Sequence, residues 1–291
     1  MRKLLAFFKK IVPNRLWQGI RRPYYAGLDL IRGLGPYVRQ GRYCGFKLYY
    51  NRGNNIIRRL KKEPIFEREM CEAIVRELQK GRTGRSASSG SPMFLDIGAN
   101  IGLVSAYVLS KVPNASIHAF EPGPAQRSLL QKTVAENRLE NSLSIHAKAL
   151  GKEIGERNLY VHDSKEMGKG SLADTGRGGA AKEVKVRLST LDEWWKANGQ
   201  PTVNAVKIDT EGAELWVLEG GAEFLKACKP VVFLEIEPQN LRVYPYDHFD
   251  ILDFLHTLGY SLFTLDGRQV SKENFSSFIK EGKDTYVARP N

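Results

Sequence analysis

The sequence predicts an α/β fold built on a doubly wound, mostly parallel sheet, which closes with an antiparallel pair of strands at the C-terminal end. Short apolar strands and amphipathic helices alternate from Pro92 onward, as expected for strand–helix–strand units. The strands are almost continuously apolar, which indicates that helices cover both faces of the sheet. With 291 residues, of which 42% are hydrophobic, the chain can bury a substantial core.

The first half of this sheet is predicted from three strands and the helices around them. The strands are MFLDI (93–97), SIHAFEP (116–122) and LSIHAKAL (143–150), and helices follow the first two at 102–112 and 124–139. An additional helix is predicted upstream, at 64–79, because apolar residues recur there on one helical face. The alternation of strand and helix favours parallel pairing between these strands.

The second half contains two parallel strands and two pairs of antiparallel strands. RNLYVHD and EVKVRLSTL are predicted to pair around a Gly-rich loop at 168–179. NAVKID (204–209) and VVFLEIEP (231–238) are the further parallel strands, and helices are predicted at 213–228 and 249–259. SLFTL and DTYVARP follow and are predicted to form the closing antiparallel hairpin.

The basic residues are concentrated at the N-terminal end of the chain. Residues 1–62 hold 16 Lys and Arg against a single acid, Asp29, so their net charge is +15, whereas residues 93–291 hold 23 basic and 26 acidic residues. This contrast predicts a basic N-terminal extension over 1–62 and a folded domain over 63–291. Within the domain, the Gly/Ser-rich stretch 81–92 is predicted to be a flexible linker.

Two sequence features bear on the cellular compartment. Cys44, Cys71 and Cys228 are widely spaced, and such a pattern is typical of the reduced cysteines of a cytoplasmic protein. The apolar run Leu4–Phe8 is shorter than a signal-peptide core of about 7–15 residues. Its neighbouring lysines suit an anionic membrane surface, so we expect a cytoplasmic protein with peripheral contact at the inner face of the membrane. A solvated basic extension is the alternative.

Carboxylates and glycines follow several of the predicted strands. The first strand runs into DIGANIG (96–102), in which Gly98 and Gly102 allow close approach of the backbone to a ligand. Glu121 ends the second strand, where a carboxylate can accept hydrogen bonds from the two hydroxyls of a ribose. The loop lacks GxGxxG, so it is a poor fingerprint for a dinucleotide. An acidic loop beside a ribose site favours S-adenosylmethionine, which carries cationic groups and no phosphate.

The motifs FLDIGANIG, FEP, STLDEW, VKIDTEGAELWVLEGG and VVFLEIEP, in this order, resemble the FkbM family of S-adenosylmethionine-dependent methyltransferases. The resemblance covers roughly residues 63–265. It implies a class I methyltransferase (Rossmann-like) fold and O-methylation of a hydroxyl on a sugar, a glycan or a related metabolite. It also implies site residues: Asp96, Gly98, Asn100 and Gly102 around the methionine part, Glu121 at the ribose, and Asp209 and Glu211 at the methyl-transfer cleft. Lys148 departs from the neutral polar residue expected near adenine.

A hydroxyl acceptor has a high pKa, so a catalytic base is useful. Asp209 is the first candidate because it ends the strand opposite the methyl group in this fold. Glu211, Glu235 and Glu237 are the other candidates. Carboxylates on two adjacent strands could instead bind Mg²⁺. No tight Asp/Asp/Asn group is evident, so the prediction includes no metal site.

Two other functions are compatible with parts of the sequence. The basic N-terminal extension suits a nucleic-acid methyltransferase, because phosphate contacts need Lys and Arg. The slightly acidic domain and the absence of an Asn-Pro-Pro-Tyr motif argue against nucleic acid as a partner. A non-catalytic binding module that has kept the fold is the other alternative. Asp96, Gly98, Glu121 and Asp209 argue against it, since they would all serve a cofactor site. The sequence identifies neither the acceptor nor the oligomeric state.

Overall fold

The computed structural model describes residues 38–51, 59–80, 90–162, 170–176 and 181–291. Within this part of the chain there are thirteen strands and nine helices. The strands are β1 (Val38–Tyr43), β2 (Phe46–Asn51), β3 (Met93–Ile97), β4 (Ser116–Phe120), β5 (Leu143–His146), β6 (Ala149–Leu150), β7 (Gly155–His162), β8 (Gly170–Ser171), β9 (Ala181–Ser189), β10 (Ala205–Ile208), β11 (Val231–Glu235), β12 (Tyr260–Thr264) and β13 (Thr285–Pro290). The helices are α1 (Arg68–Lys80), α2 (Leu103–Lys111), α3 (Pro124–Asn137), α4 (Leu191–Ala197), α5 (Glu214–Glu219), α6 (Ala222–Cys228), α7 (Pro238–Leu241), α8 (His248–Thr257) and α9 (Lys272–Lys280).

A seven-stranded sheet with the order β5-β4-β3-β10-β11-β13-β12 forms the centre of the molecule. Five neighbouring strands are parallel, and β13 runs antiparallel to both β11 and β12. This order confirms the predicted class I methyltransferase (Rossmann-like) fold. The closing strands β12 and β13 pair antiparallel as predicted, but α9 lies between them in the chain. The strand order reverses between β3 and β10, the point at which open α/β sheets bind their ligands.

Helices cover both faces of this sheet. One face packs against α1, α2 and α3, and the other against α4, α5, α6, α8 and α9. Successive strand residues alternate between the two cores: Phe94 belongs to the first and Leu95 to the second, as the two-residue period of a strand requires. Both strand faces are buried, which accounts for the almost continuously apolar strand sequences.

A second, four-stranded sheet with the order β6-β9-β7-β8 lies beside the first. The predicted pairing of RNLYVHD with EVKVRLSTL is confirmed, since β7 and β9 are antiparallel from Gly155–Leu188 to His162–Ala181. The strand predicted over 143–150 divides into β5, which stays in the large sheet, and β6, which pairs with β9. Within the predicted Gly-rich loop, residues 163–169 and 177–180 lie outside the described residues.

The helix predicted over 213–228 divides into α5 and α6 at Gly220 and Gly221. A Cβ atom on Gly220 would lie 2.0 Å from the carbonyl oxygen of Gly151. The chain after β6 therefore comes into backbone contact with this bend. Close packing of this bend against the chain that follows β6, which the helical pattern cannot reveal, explains the division.

Residues 38–51, predicted as part of the basic extension, form the hairpin β1–β2 and pack against α3. The Tyr49 backbone N–H donates to Thr133 Oγ1 at 3.2 Å, and the Lys47 N–H donates to Asn137 Oδ1 at 2.8 Å. Tyr43, Leu48 and Tyr49 are buried in the same core as α1–α3. Residues 1–37 and most of the predicted linker lie outside the described residues, so the boundary at residue 62 stays a prediction.

No helix in the described ranges combines the length and apolar character that a bilayer crossing requires.

Candidate active site

A cavity that is partly open to solvent lies at the carboxyl ends of β3, β4 and β10, where the strand order reverses. The second sheet closes one side with Leu159, Gly170 and Leu172. The lining residues predicted from the sequence, or noted there as a departure, are Gly98, Asn100, Glu121, Lys148, Asp209 and Glu211.

Glu121 is a buried carboxylate held by the backbone on either side of the cavity. Its Oε2 accepts the Asn100 N–H at 2.8 Å, and its Oε1 accepts the Gly123 N–H at 2.7 Å. Burial raises the pKa of Glu121 to about 7, although these two hydrogen bonds oppose the shift. Each oxygen has a second lone pair, so the group can still accept hydrogen bonds from a vicinal diol such as a ribose.

Gly98 allows two loops of the site to touch. Its φ is +79°, and a Cβ atom would lie 1.8 Å from the carbonyl oxygen of Asp209. The sequence predicted that this glycine makes room for a ligand. The structure shows that it makes room for the backbone that follows β10. Gly102, with a φ of +85°, precedes α2 and packs against Leu130, so it shapes the loop from outside the cavity.

Asp96 lies beneath the loop and does not line the cavity. Its side chain is 0% exposed, and its Oδ2 accepts the Ser105 hydroxyl at 2.5 Å. Its other oxygen lies 3.6 Å from the Lys207 ammonium. The structure therefore places Asp96 as a buried support of the glycine loop. The predicted contact with the methionine part stays a prediction.

Lys207 is a buried residue of the site that the sequence analysis did not predict. It points from the middle of β10 into the buried space beneath the site, and only 3% of it is exposed. Its ammonium donates to the Gly98 carbonyl at 3.0 Å and lies 2.9 Å from Asp209 Oδ2. A buried charge needs such partners, so a lysine between Val206 and Ile208 was the available signal. Lys207 joins the loops after β3 and β10.

Three carboxyl groups meet at the ends of β10 and β11. The oxygens of Asp209, Glu211 and Glu235 approach to within 4.8 Å of one another. Asn240, in α7, fixes Glu211 by donating to its Oε2 at 2.8 Å. Burial, together with repulsion from Asp209, raises the pKa of Glu235 well above its ordinary value. The predicted bases Asp209, Glu211 and Glu235 are therefore brought together.

Glu237, the fourth candidate base, belongs to a second carboxyl group set further from the cavity. Its oxygen, with those of Glu235 and Asp284, forms another cluster within 4.8 Å. Glu237 is half-buried and Asp284 is exposed. Glu235 belongs to both clusters. It therefore lies between the carboxyl groups near the cavity and those near the solvent.

Glu67 is a second residue that the sequence reasoning missed. It immediately precedes α1, in a left-handed backbone conformation with a φ of +44°. Burial and repulsion from Asp209 raise the pKa of Glu67 to about 7, while Lys207 opposes the shift. A residue far upstream thus adds a carboxyl group to the electrostatics of the site. Nothing in its local sequence signals this.

The donor set bears on the Mg²⁺ alternative. Three carboxylates are ligands of the type that a hard dication prefers. The ammonium of Lys207 already lies 2.9 Å from Asp209, and the raised pKa of Glu235 favours its neutral form. Both features neutralise charge that a dication would otherwise balance, and they favour the interpretation without a metal.

His118, His146 and His248 do not line the cavity. His118 Nδ1 and His146 Nε2 are 3.0 Å apart, and both rings contact Trp194. Both rings are thus packed between β4, β5 and α4. His248 lines a separate surface cavity with Tyr246 and Arg242.

Comparison with known proteins identifies the family. The model of the methyltransferase FkbM domain matches residues 96–262, more than half of the chain. The chain is 33% identical over 181 residues to methyltransferase sdnD of Sordaria araneosa, covering 52% of this chain and 69% of that protein. It is 25% identical over 166 residues to the 2-O-methyltransferase NoeI of Sinorhizobium fredii, covering 52% and 65%.

Among solved structures, methyltransferase FkbM from Methylobacillus flagellatus overlaps with 16% sequence identity and a TM-score of 0.44, over 68% of this chain and 43% of that chain. The sequence relatives are covered over about two thirds of their own length. On the match over residues 96–262, the chain belongs to the FkbM methyltransferase family.

Proposed function

We propose that the protein transfers a methyl group from S-adenosylmethionine to a hydroxyl oxygen of a sugar, a glycan or a related metabolite. The observation that carries the proposal is the placing of Glu121 and Asp209 on one cavity at the switch point of the sheet. The first suits a ribose, and the second suits the proton of an acceptor hydroxyl. The name of the relative NoeI, a 2-O-methyltransferase, supports oxygen as the methylated atom.

The residues of the cavity fit the cofactor by their chemistry. Glu121 presents two hydrogen-bond acceptors to a diol, and the loop at Gly98 and Asn100 faces the same space. When bound, S-adenosylmethionine supplies an activated methyl group. Phe120, Leu150 and Leu172 provide apolar walls, which limit the water around the reacting groups.

Asp209 is the proposed base. It is partly exposed, it lines the cavity, and the ammonium of Lys207 favours its ionised form, the form that accepts a proton. Glu211 lies beside it and is held by Asn240, so it is placed to bind the acceptor. The enzyme's task is to hold the hydroxyl in line with the methyl group while the base takes up its proton.

The test uses the full chain with methyl-labelled S-adenosylmethionine and a metabolite and glycan extract. Asp209→Asn is expected to keep cofactor affinity within a few fold and to lower turnover by roughly 10²–10⁴-fold, the usual contribution of a general base. Asp253→Asn is the control, since this exposed carboxylate pairs with Lys272 away from the site.

Three outcomes would contradict the proposal. Full turnover by Asp209→Asn, with loss of turnover in chelator and recovery in Mg²⁺, would replace the base with a metal ion. Failure of the wild-type protein to bind S-adenosylmethionine in calorimetry would favour the non-catalytic alternative. Label in RNA or DNA instead of small molecules would favour the nucleic-acid alternative.

A further inference from the structure

Asp209 and Glu235 form a carboxyl pair across neighbouring strands. Asp209 directly follows β10, and Glu235 is the last residue of β11. The two strands are parallel and pair from Ala205–Val231 to Ile208–Leu234. The carboxyl oxygens of the two side chains lie within 4.8 Å of each other. On its other side, Asp209 lies 2.9 Å from the ammonium of Lys207. The Asp209 carboxylate is therefore held between a cation and a second carboxyl group.

A hydrogen bond between two carboxyl groups requires a proton, because an ionised carboxylate has no donor. Lys207 stabilises charge on Asp209, so the proton resides on Glu235. Burial and the negative charge of Asp209 both act in this direction, and they raise the pKa of Glu235. In a hydrogen bond across this pair, Glu235 would therefore donate and Asp209 would accept.

Glu235 also lies close to two carboxyl groups outside the cavity, those of Glu237 and Asp284. Its carboxyl oxygen lies within 4.8 Å of those of Glu237 and Asp284, a distance that one water molecule can bridge. Asp284 is exposed to solvent, and neither of these two residues lines the cavity. The sheet edge therefore carries an ordered row of carboxyl groups, from Asp209 at the cavity, through Glu235, to the surface.

We propose that Glu235 is a positioning residue that holds the proton of this pair and passes it outward to Glu237 and Asp284 when Asp209 takes up a proton. This inference rests on the proposed O-methylation, which releases one proton from the acceptor hydroxyl in each turnover.

In this step one proton moves from the acceptor hydroxyl to solvent. The O–H bond of the acceptor breaks, and its proton joins the Asp209 carboxylate. Glu235 loses its own proton to the outer carboxylates, and water takes it from there. The protonated Asp209 then donates to the ionised Glu235, and transfer of that proton restores the starting state. The relay explains how a carboxylate stabilised by Lys207 can accept a proton, because negative charge appears on Glu235 at the same moment.

Several charged groups act on Glu235 and enter any measurement of its titration. They come from β10 and the loop after it, from the chain before α1, and from the ends of β11 and β13: Asp209, Glu211, Lys207, Glu67, Glu237 and Asp284. All except Lys207 are acids. Neutralising any one of these acids by substitution is therefore expected to lower the pH at which Glu235 ionises.

Infrared difference titration of the full-length protein, with ¹³C-labelled glutamate, tests the pairing without an acceptor. Glu67 and Glu121 are expected to contribute protonated glutamate bands with midpoints at about pH 7. Glu235, whose pKa is raised well above its ordinary value by burial and by Asp209, is expected to add a further protonated band, and Glu235→Gln should remove it. Asp209→Asn and the double variant Glu237→Gln/Asp284→Asn should each shift its midpoint to lower pH.

Glu281→Gln is the matched control, because this exposed glutamate pairs with Arg268 and lies near Asp284 in the chain. It is expected to leave the band unchanged. Absence of the band in the wild-type protein, its persistence in Glu235→Gln, or a midpoint unaffected by both Asp209→Asn and the double variant would overturn the inference.

Turnover provides the second readout, with methyl-labelled S-adenosylmethionine and the same extract between pH 6 and 9. Glu235→Gln is expected to lower kcat about tenfold or more and to change the shape of the pH profile, with the KM for the cofactor unchanged. Glu235→Asp, which keeps a carboxyl group, should recover part of the rate. A wild-type rate and profile in Glu235→Gln would overturn the relay. Lack of label with the wild-type protein would contradict the proposed O-methylation, and the infrared titration would still decide the pairing.

Discussion

The ionisation of Glu121 is expected to make ligand binding in the cavity depend on pH. The ionised carboxylate accepts more hydrogen bonds than the neutral acid, so a ribose diol is expected to bind best to the ionised form. Burial places the pKa of Glu121 at about 7. Ligand affinity that requires ionisation is lost as the pH falls through that value, and it is present above it.

We therefore expect the affinity for S-adenosylmethionine to fall by up to about tenfold between pH 8 and pH 6, the change in the ionised fraction of a single group of this pKa. Calorimetric titration at several pH values measures this change. Glu121→Gln should flatten the profile, and Glu121→Ala should weaken binding by about 1–3 kcal/mol. An equal pH dependence in Glu121→Gln would show that another group is responsible.

Gly98 lies where two loops meet. Comparing its substitution with that of Gly199 distinguishes the cost of backbone strain from the cost of a steric clash. Gly199 has nearly the same φ, +78° against +79°, but a Cβ atom there would meet nothing within 4 Å. Gly199→Ala is expected to lower the free energy of unfolding by about 1–2 kcal/mol, the cost of a left-handed non-glycine residue. Gly98→Ala should cost clearly more and should also weaken cofactor binding, because it displaces the Asp209 backbone.

Denaturant unfolding of both variants, with calorimetry of cofactor binding, provides the comparison. Equal stability losses in the two variants would mean that the loop after β10 moves aside freely, so that the contact between the two loops adds nothing to the site.

At the scale of whole elements, much of the site could be predicted because parallel strands end at one edge of the sheet. Glu121 and Asp209 follow β4 and β10, and this position alone places them near each other. The roles of Lys207 and Glu67 could not be predicted in the same way. The first depends on which buried groups surround a strand residue, and the second on where the chain before α1 packs. Both are tertiary contacts without a local sequence pattern.

The hairpin β1–β2 lies within the predicted basic extension, yet it packs against the core of the folded domain. Its sequence is basic, and the sequence therefore assigned it to an extension. Cys44 and Gly45 have φ values of +49° and +90°, which suit the two-residue turn of a hairpin. Alternate strand residues then reach the core, where Tyr43 and Leu48 are 4% and 2% exposed.

Truncation tests the contribution of this hairpin. A chain that starts at Val38 is expected to keep the stability of the full chain in guanidinium unfolding. A chain that starts at Glu63 should lose about 4 kcal/mol or more, because three apolar side chains, Tyr43, Leu48 and Tyr49, leave the core. Equal unfolding midpoints for the two truncated chains would show that the hairpin only rests on α3.

At the scale of the whole molecule, the charge distribution divides the chain into two parts. Residues 1–37 hold eight Lys and Arg against Asp29, a net charge of +7, whereas residues 93–291 are slightly acidic. Leu4, Phe7 and Phe8 stand beside Lys9 and Lys10. A cluster of this kind can attach a protein to an anionic bilayer, where each basic residue near the surface contributes about 1 kcal/mol. An acceptor linked to lipid would be met at that surface.

Sedimentation with anionic vesicles tests this attachment, and the structure decides which truncated chain to compare. The chain from Val38 keeps the hairpin in the core. A difference in sedimentation between it and the full chain is therefore due to the loss of residues 1–37 and not to unfolding. We expect the full chain to sediment at low salt and to be released at high salt, because screening weakens contacts between exposed charges. The chain from Val38 should stay in the supernatant. Equal sedimentation of both chains, or of neither, would contradict membrane attachment through residues 1–37.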